Sequence, residues 1–386
     1  MRKIAVITAT RAEYGLLKPV IVSLKKYENK GLKTEVIVTG THLSQNYGYT
    51  VNEIERDDIC ISHKVYIPVN STDAVDISNN QAEVLIEFTK LFLKENYDAI
   101  LILGDRYESL AIAIAAGNTN TPLLHMCGGD TTEGASDEWI RHSITKMAYL
   151  HFVTNEESKK RVIQLGENPE RVFNYGSTSI DNILNTKMLS KEDALKSIGL
   201  KKCRYAICTY HPVTIGIKDI DWMLLQFLEA VKKFPEIEFI VTKSNADLGG
   251  ARINMLFDRE EGNINNLHVY TSLGVKRYLS LVKHSEFVIG NSSSGIIEAP
   301  ALHVPSVNIG DRQRGRLQCK SIINCSESTE EIIYAIHHVL DKEFKDNCLS
   351  IECPYGDGSA AGNIAAKIME IIDKNDIDLK KKFYDL

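Results

Sequence analysis

Short, almost continuously apolar runs alternate with segments of helical period along nearly the whole chain, and this alternation constrains the fold more than any other feature. Lys3–Thr10, Thr34–Thr39, Ala99–Gly104, Leu123–Cys127 and His151–Thr154 read as strands. Leu16, Leu17, Val20, Ile21 and Leu24 fall at helical spacing, as do the segments Gln81–Leu93, Tyr107–Ala116 and Glu138–Met147. A strand that is apolar at successive positions must be covered on both faces, and strands that alternate with helices join in parallel. The expected class is α/β, with a doubly wound parallel sheet. Around Lys187–Lys202 the texture turns charged and weakly apolar, and the alternation then restarts. Strands are expected at Tyr205–Thr209, Glu238–Thr242, His268–Tyr270, Phe287–Gly290 and Ser306–Ile309, with helices at Trp222–Lys233, Ala251–Arg259, Val275–Val282 and Ile296–Leu302. With 386 residues the chain has room for two such domains. The reading is a Rossmann-like domain over 1–186, a second over 187–359, and a final segment, 360–386, whose helix crosses back to the first. Ligands of open α/β sheets sit beyond the carboxyl ends of the strands, so two such domains are expected to enclose a central cleft.

Composition narrows the function classes. Hydrophobic residues make up 44% and charged residues 25%, and the formal charge is −6, so no generic attraction to nucleic acid is expected. The basic start runs through a short apolar stretch straight into Arg11 and Glu13, unlike a secretory leader, and no apolar run reaches the length of a membrane span. A cytoplasmic protein without membrane contact is expected. The eight cysteines include no C-x-x-C pair, so reduced thiols are expected. A G-x-G-x-x-G dinucleotide fingerprint is absent after the first strand, as are a G-x-S-x-G elbow and an H-E-x-x-H metal motif. His125, Asp130 and Glu133 have metal-ligating atoms but lack the spacing of a single-element site, so no metal is expected.

The chemistry sits at the strand ends. Phe287-Val288-Ile289 is a strand, and the serines that follow, flanked by Gly290 and Gly295, cannot continue it. A turn of Gly290, Asn291, Ser292, Ser293 and Gly295 leading into a helix N-terminus offers unpaired N–H groups to a phosphate. Glu298, which repels phosphate, suits a sugar diol. Other loops are charged as well: Arg11 and Glu13; Asp105, Arg106 and Glu108; Asp130, Glu133 and Asp137; His211; Lys243, Asn245 and Asp247; Arg312, Arg314 and Arg316. Singly, each has a plain structural explanation. Asp105 could cap a helix, Arg141 and His142 would by default be solvated, and the arginines could form a solvated basic turn. Their concurrence points instead to carboxylates and a histidine for proton transfer, with arginines to hold a diphosphate.

The segments ATRAEYG (9–15), TGTHLS (39–44), LGDRYE (103–108), HMCGGDTTEGASDEWIRHSITK (125–146), YHPVT (210–214), TKSNAD (242–247), IGNSSSGIIE (289–298) and NIGDRQRGR (308–316) occur in this order. Together they resemble the hydrolysing UDP-N-acetylglucosamine 2-epimerases of bacterial sialic-acid biosynthesis, relatives of the epimerase half of the human bifunctional epimerase/kinase. The resemblance covers essentially the whole chain. It implies a GT-B-like pair of Rossmann-type domains, a homo-oligomer (dimer or tetramer), a UDP-sugar substrate, and no metal or redox cofactor. The implied reaction removes the C2 proton as UDP leaves C1, giving a 2-acetamidoglucal. Water then adds to C1 and a proton returns to C2 from the other face, releasing N-acetylmannosamine.

By resemblance Asp105 and Asp137 match acid/base carboxylates, and His211 matches a histidine beside the diphosphate. Arg11, Ser292, Ser293, Glu298 and Arg312 match nucleotide-binding positions. Arg106, His142, Asn245 and Gly290 complete the expected substrate-binding set. One position departs from the pattern: some relatives carry glutamate two residues after the histidine of this segment, where this chain has Cys127. The role then passes to Asp130 or Glu133, or the substrate is a modified sugar such as the 2,4-diacetamido-2,4,6-trideoxy sugar of the legionaminic-acid branch. A GT-B glycosyltransferase and a non-catalytic nucleotide-sugar-binding regulator are the competing readings.

Overall fold

A computed structural model describes residues 2–70, 72–132, 135–213, 219–244, 249–374 and 377–386. The chain divides into two compact units. The first is Met1–Asp130, Ser136–Asn182 and Tyr355–Leu386; the second is Thr131–Ala135 and Ile183–Pro354.

The first unit is built on strands β1 (Arg2–Thr8), β2 (Leu32–Val38), β3 (Ile61–Lys64), β4 (Ala99–Leu103), β5 (Leu123–Met126), β6 (Leu150–Val153) and β7 (Val172–Asn174). They lie in the order β3-β2-β1-β4-β5-β6-β7, and every pair is parallel. The side-chain period of two explains the continuous apolar runs. Ile4 and Val6 of β1 and Leu101 and Leu103 of β4 enter one core, while Ala5, Ile7, Ile100 and Ile102 enter the core on the opposite face. Leu17, Val20, Ile21 and Leu24 of the helix Arg11–Lys25 cover the first face, beside Ile364, Ile368 and Ile372 of the helix Ala360–Lys374. Val84, Phe88 and Phe92 of the helix Ala74–Glu95 and Ile140 and Ile144 of the helix Asp137–Met147 cover the second.

The second unit repeats the scheme with β8 (Tyr205–Thr209), β9 (Glu238–Thr242), β10 (Leu267–Tyr270), β11 (Phe287–Gly290), β12 (Ser306–Ile309) and β13 (Ile322–Cys325). Their order is β10-β9-β8-β11-β12-β13, all parallel. Ala206 and Cys208 of β8 face one core and Tyr205 and Ile207 the other. In each sheet the order reverses direction between the first strand and its fourth, which is the doubly wound pattern whose loops carry ligand sites at the strand carboxyl ends. The protein thus has a two-domain α/β, Rossmann-like fold. Among the described residues no helix is long and apolar enough to cross a membrane.

Three strands escape the sequence reading: β3, β7 and β13. Each lies at a sheet edge and is only partly buried, so its pattern lacks the unbroken apolar run that marks the central strands. The helix expected over Ile296–Leu302 is also shorter than its periodicity suggests. A 3₁₀ turn, Ser293–Gly295, precedes a single helical turn, Glu298–Ala301.

Candidate active site

In the first unit the polar residues gather where β4 and β5 end and the helix Asp137–Met147 begins. Gly104 leaves β4 at φ +81° and hands the chain to Asp105, whose carboxylate pairs with the guanidinium of Arg141. Arg141 is 1% exposed. Its Nη1 donates to the backbone carbonyl of Asp130 (2.9 Å) and to Glu138 Oε2 (3.2 Å). Burial by itself would lower the pKa of this guanidinium, yet the negative field of Asp105, Asp130 and Asp137 raises it above the usual arginine value. A permanently charged, buried arginine holds its carboxylate partner in the ionised form. Behind this pair His125 Nε2 lies 2.7 Å from the carbonyl oxygen of Gly104. Burial pushes its imidazole down to about 3, so it is neutral and Nε2 carries the proton that binds this carbonyl.

Asp137 opens the helix and is half-buried, at the end where a carboxylate is favoured by the helix dipole. One residue on, Glu138 binds Arg141 with Oε2, and its Oε1 lies 3.2 Å from His142 Nε2. Asp130 is placed differently. It is buried, and its Oδ1 accepts from the hydroxyls of Ser158 (2.6 Å) and Thr154 (3.0 Å). Arg106 is fastened to the fully buried Glu108 through Nε (3.1 Å) and Nη2 (3.3 Å). Arg11 is the half-buried first residue of its helix. Cys127 sits at φ +63°, with its N–H on the carbonyl of Phe152 (2.9 Å). Glu133 lies outside the described residues.

In the second unit the serine turn is organised by Asn291. Its Oδ1 accepts from the His211 N–H (2.6 Å) and its Nδ2 donates to the His211 carbonyl (2.8 Å), which ties the end of β11 to the end of β8. His211 Nδ1 lies 3.3 Å from Ser244 Oγ, and Ser244 is itself clamped to Asn254. Gly290 has φ +133°, and a Cβ there would stand 2.2 Å from the Thr209 carbonyl oxygen, so only glycine lets the turn cross β8 this closely. Ser292 accepts from the Ser294 N–H, while the N–H groups of Ser292 and Ser293 have no partner among the described residues. Arg312 Nη1 (3.2 Å) and Gln313 Nε2 (2.8 Å) both donate to the Asn291 carbonyl, bringing the 310–316 loop onto the turn. Arg316 binds Thr131 and Thr132 from the loop after β5. Glu298 is half-buried in the single helical turn; Asn245 lies outside the described residues.

A sequence profile described as UDP-N-acetylglucosamine 2-epimerase matches residues 25–369. The chain belongs to this family. Among its relatives, a Campylobacter jejuni "GDP/UDP-N,N'-diacetylbacillosamine 2-epimerase (hydrolyzing)" is 38% identical, covering 100% of this chain and 99% of that one. The Escherichia coli "Polysialic acid biosynthesis protein P7" is 37% identical, covering 100% and 98%. Of solved structures, the Neisseria meningitidis UDP-GlcNAc 2-epimerase bound to UDP-GlcNAc superposes with a TM-score of 0.80 at 20% identity, covering 96% of this chain and 100% of that one. That likeness establishes the fold.

Within this member of the epimerase family, the structure pairs Asp105 with Arg141, sets Asp137 near enough to act on its charge, links His142 to Arg141 through Glu138, and gathers His211, Gly290, Ser292, Ser293 and Arg312 around Asn291. The default of a solvated Arg141 is corrected: it is among the largest fully buried side chains. Its spacing of four from Asp137 and three from Glu138 on one helix was the available signal. Asn291 and Gln313 were missed as organisers, because short amides that bind backbone across a sheet leave no periodic trace. The serine turn does not open a long helix, so loop N–H groups and Arg312, rather than a helix dipole, supply its positive character. Both nitrogens of His125 are occupied, Nδ1 lying 3.5 Å from Thr145 Oγ1, and Asp130 is committed to hydroxyls. Glu35, His63 and Glu95 bring possible metal-ligand atoms within 4.8 Å of one another, but Lys3 pairs with both glutamates and Lys33 with Glu35.

Proposed function

We propose that this protein is a hydrolysing UDP-N-acetylglucosamine 2-epimerase that releases UDP and N-acetylmannosamine in sialic-acid-type biosynthesis, as a cytoplasmic homo-oligomer. The observation that carries the reading is the Asp105–Arg141 pair, a carboxylate kept ionised by a buried guanidinium at the carboxyl edge of a Rossmann sheet. C2–H of the sugar is barely acidic, so its removal must accompany departure of the diphosphate. Asp105 takes this proton. The N–H groups of Ser292 and Ser293, with Arg312 and His211, hold the leaving UDP and stabilise its growing charge, and Glu298 receives the ribose diol. The C1–O bond breaks and a C1–C2 double bond forms, giving the 2-acetamidoglucal. In the second half, water bonds to C1 and gives its proton to Asp137, while C2 is protonated on the opposite face. We assign Asp130 to anchoring its loop, since its Oδ1 accepts from both Thr154 and Ser158; Arg106 shapes the same edge through Glu108.

A second reading concerns the sugar. The name of the Campylobacter relative and the thiol at Cys127 favour the same reaction on UDP-N,N'-diacetylbacillosamine, which carries a second acetamido group. Proton NMR in D2O with each UDP-sugar in turn tests both readings. The expected products are UDP and a free 2-epimerised sugar bearing deuterium at C2. Protium at C2, or transfer of the sugar to an acceptor, would remove the elimination mechanism, and the donor with the higher kcat/KM decides the sugar. Light scattering of the purified protein tests the oligomer.

A further inference from the structure

Inversion at C2 needs a proton removed from one face and another delivered to the opposite face, so the group that takes the first is badly placed to give the second. Asp105, ionised beside Arg141, is suited to the removal. The delivering group must start the second half-reaction protonated, and Cys127 leaves no carboxylate where some relatives carry one.

We propose that His142, oriented by Glu138, is the general acid that protonates C2 of the glycal; this rests on the epimerase reading above. Glu138 Oε2 is held by Arg141 Nη1 at 3.2 Å, which keeps the carboxylate ionised, and Oε1 lies 3.2 Å from His142 Nε2. A carboxylate only accepts, so Nε2 carries the hydrogen and neutral His142 is the Nε2–H tautomer. Nδ1 is then the nitrogen that gains and loses a proton. It is buried, although the side chain as a whole is 24% exposed, and it has no hydrogen-bond partner among the described residues. An imidazole fixed through one nitrogen by a carboxylate and unpartnered among the described residues at the other has the arrangement of a general acid–base pair. It stands one helical turn from Glu138 and next to Arg141, in the same network as Asp105. The step balances. Imidazolium Nδ1 gives its proton to C2 as the double bond opens, the oxygen of water bonds to C1, and the proton of water passes to Asp137. Exchange with solvent then restores both groups.

His142→Gln keeps an amide donor near Glu138 and removes Nδ1. The wild-type protein, assayed in D2O, checks the underlying reaction: without UDP release and C2 deuteration the epimerase reading itself fails. Given that reaction, His142→Gln should still release UDP and accumulate 2-acetamidoglucal, with free sugar formation down on the order of a hundred- to ten-thousand-fold. Added glycal should be hydrated by wild type and not by the variant. Glu138→Gln should give the same partition toward glycal in milder form. A normal UDP-induced rise in melting temperature separates this loss from misfolding. The proposal is overturned if the His142→Gln variant forms sugar within a few-fold of wild type, or if its UDP release and glycal hydration fall together. It is also overturned if Glu133→Gln alone accumulates glycal.

Discussion

At the scale of single residues the first unit relies on buried charge whose protonation is set by its neighbours. Glu13 closes a capping box: Oε2 accepts from the Ala9 (2.7 Å) and Thr10 (3.0 Å) N–H groups, while Oε1 is buried with no hydrogen-bond partner among the described residues. Burial drives its pKa from 4.5 up to about 7, against the attraction of Arg106. A carboxyl whose folded pKa is raised stabilises the fold fully below its unfolded pKa, and that contribution is lost as pH rises through about 7. Relative to Glu13→Gln, wild type should therefore lose up to roughly 3 kcal/mol of unfolding free energy between pH 4 and pH 8. Parallel urea titrations measure the difference, and a pH-independent gap between the two proteins would refute it. Asp105→Asn should lower turnover on the order of a hundred- to ten-thousand-fold while leaving UDP affinity within a few-fold. Loss of UDP binding would instead make Asp105 a structural residue. Gly290→Ala places a methyl group against the Thr209 carbonyl, and should abolish the thermal shift that UDP produces even where the protein still folds.

At the scale of elements, the helix Arg11–Lys25 contains Pro19, which has no N–H to offer the carbonyl of Gly15 one turn earlier. Asn182 Nδ2 fills that place at 2.5 Å. Asn182→Ala should leave the carbonyl unsatisfied and cost about 1–3 kcal/mol by chemical denaturation, with little change in kcat. A neutral substitution would mean that water satisfies Gly15 equally well. Helices that carry active groups were partly legible beforehand. The apolar period of Glu138–Met147 gave the helix, and its burial pattern of Ile140 and Ile144 follows from that period. What the period did not give was the inward turn of Arg141, because a helical wheel assigns an arginine to solvent unless a carboxylate from another strand is there to meet it.

At the scale of the whole chain, the segment after the final helix returns to the first unit. Lys381 Nζ pairs with Glu167 at 2.6 Å and donates to the carbonyls of Lys146 (2.8 Å) and Ala148 (2.7 Å), where the helix bearing Asp137 and His142 ends. Glu167 is 1% exposed and also receives His151 and Lys146. Burial would raise its pKa, but these hydrogen bonds hold it down to about 2. Lys381→Met should destabilise the fold by about 1–3 kcal/mol, since it removes one donor from a buried carboxylate that Lys146 and His151 still hold, and hydrogen exchange should rise at the end of that helix. Unchanged exchange there would show the pairing to be superficial. The central strands, the helices between them and the glycine-serine turn were determined by the sequence alone, because burial on both faces and the need for positive φ are written in local residue type. Edge strands β3, β7 and β13 were not, since half-buried strands share their composition with loops. Only the tertiary structure decided that Arg141 is buried against Asp105, that Asp130 is spent on Thr154 and Ser158, and that Asn291 fastens His211. Each of these depends on partners far apart in sequence, and the energy of a buried charge or amide is set by what the fold places beside it.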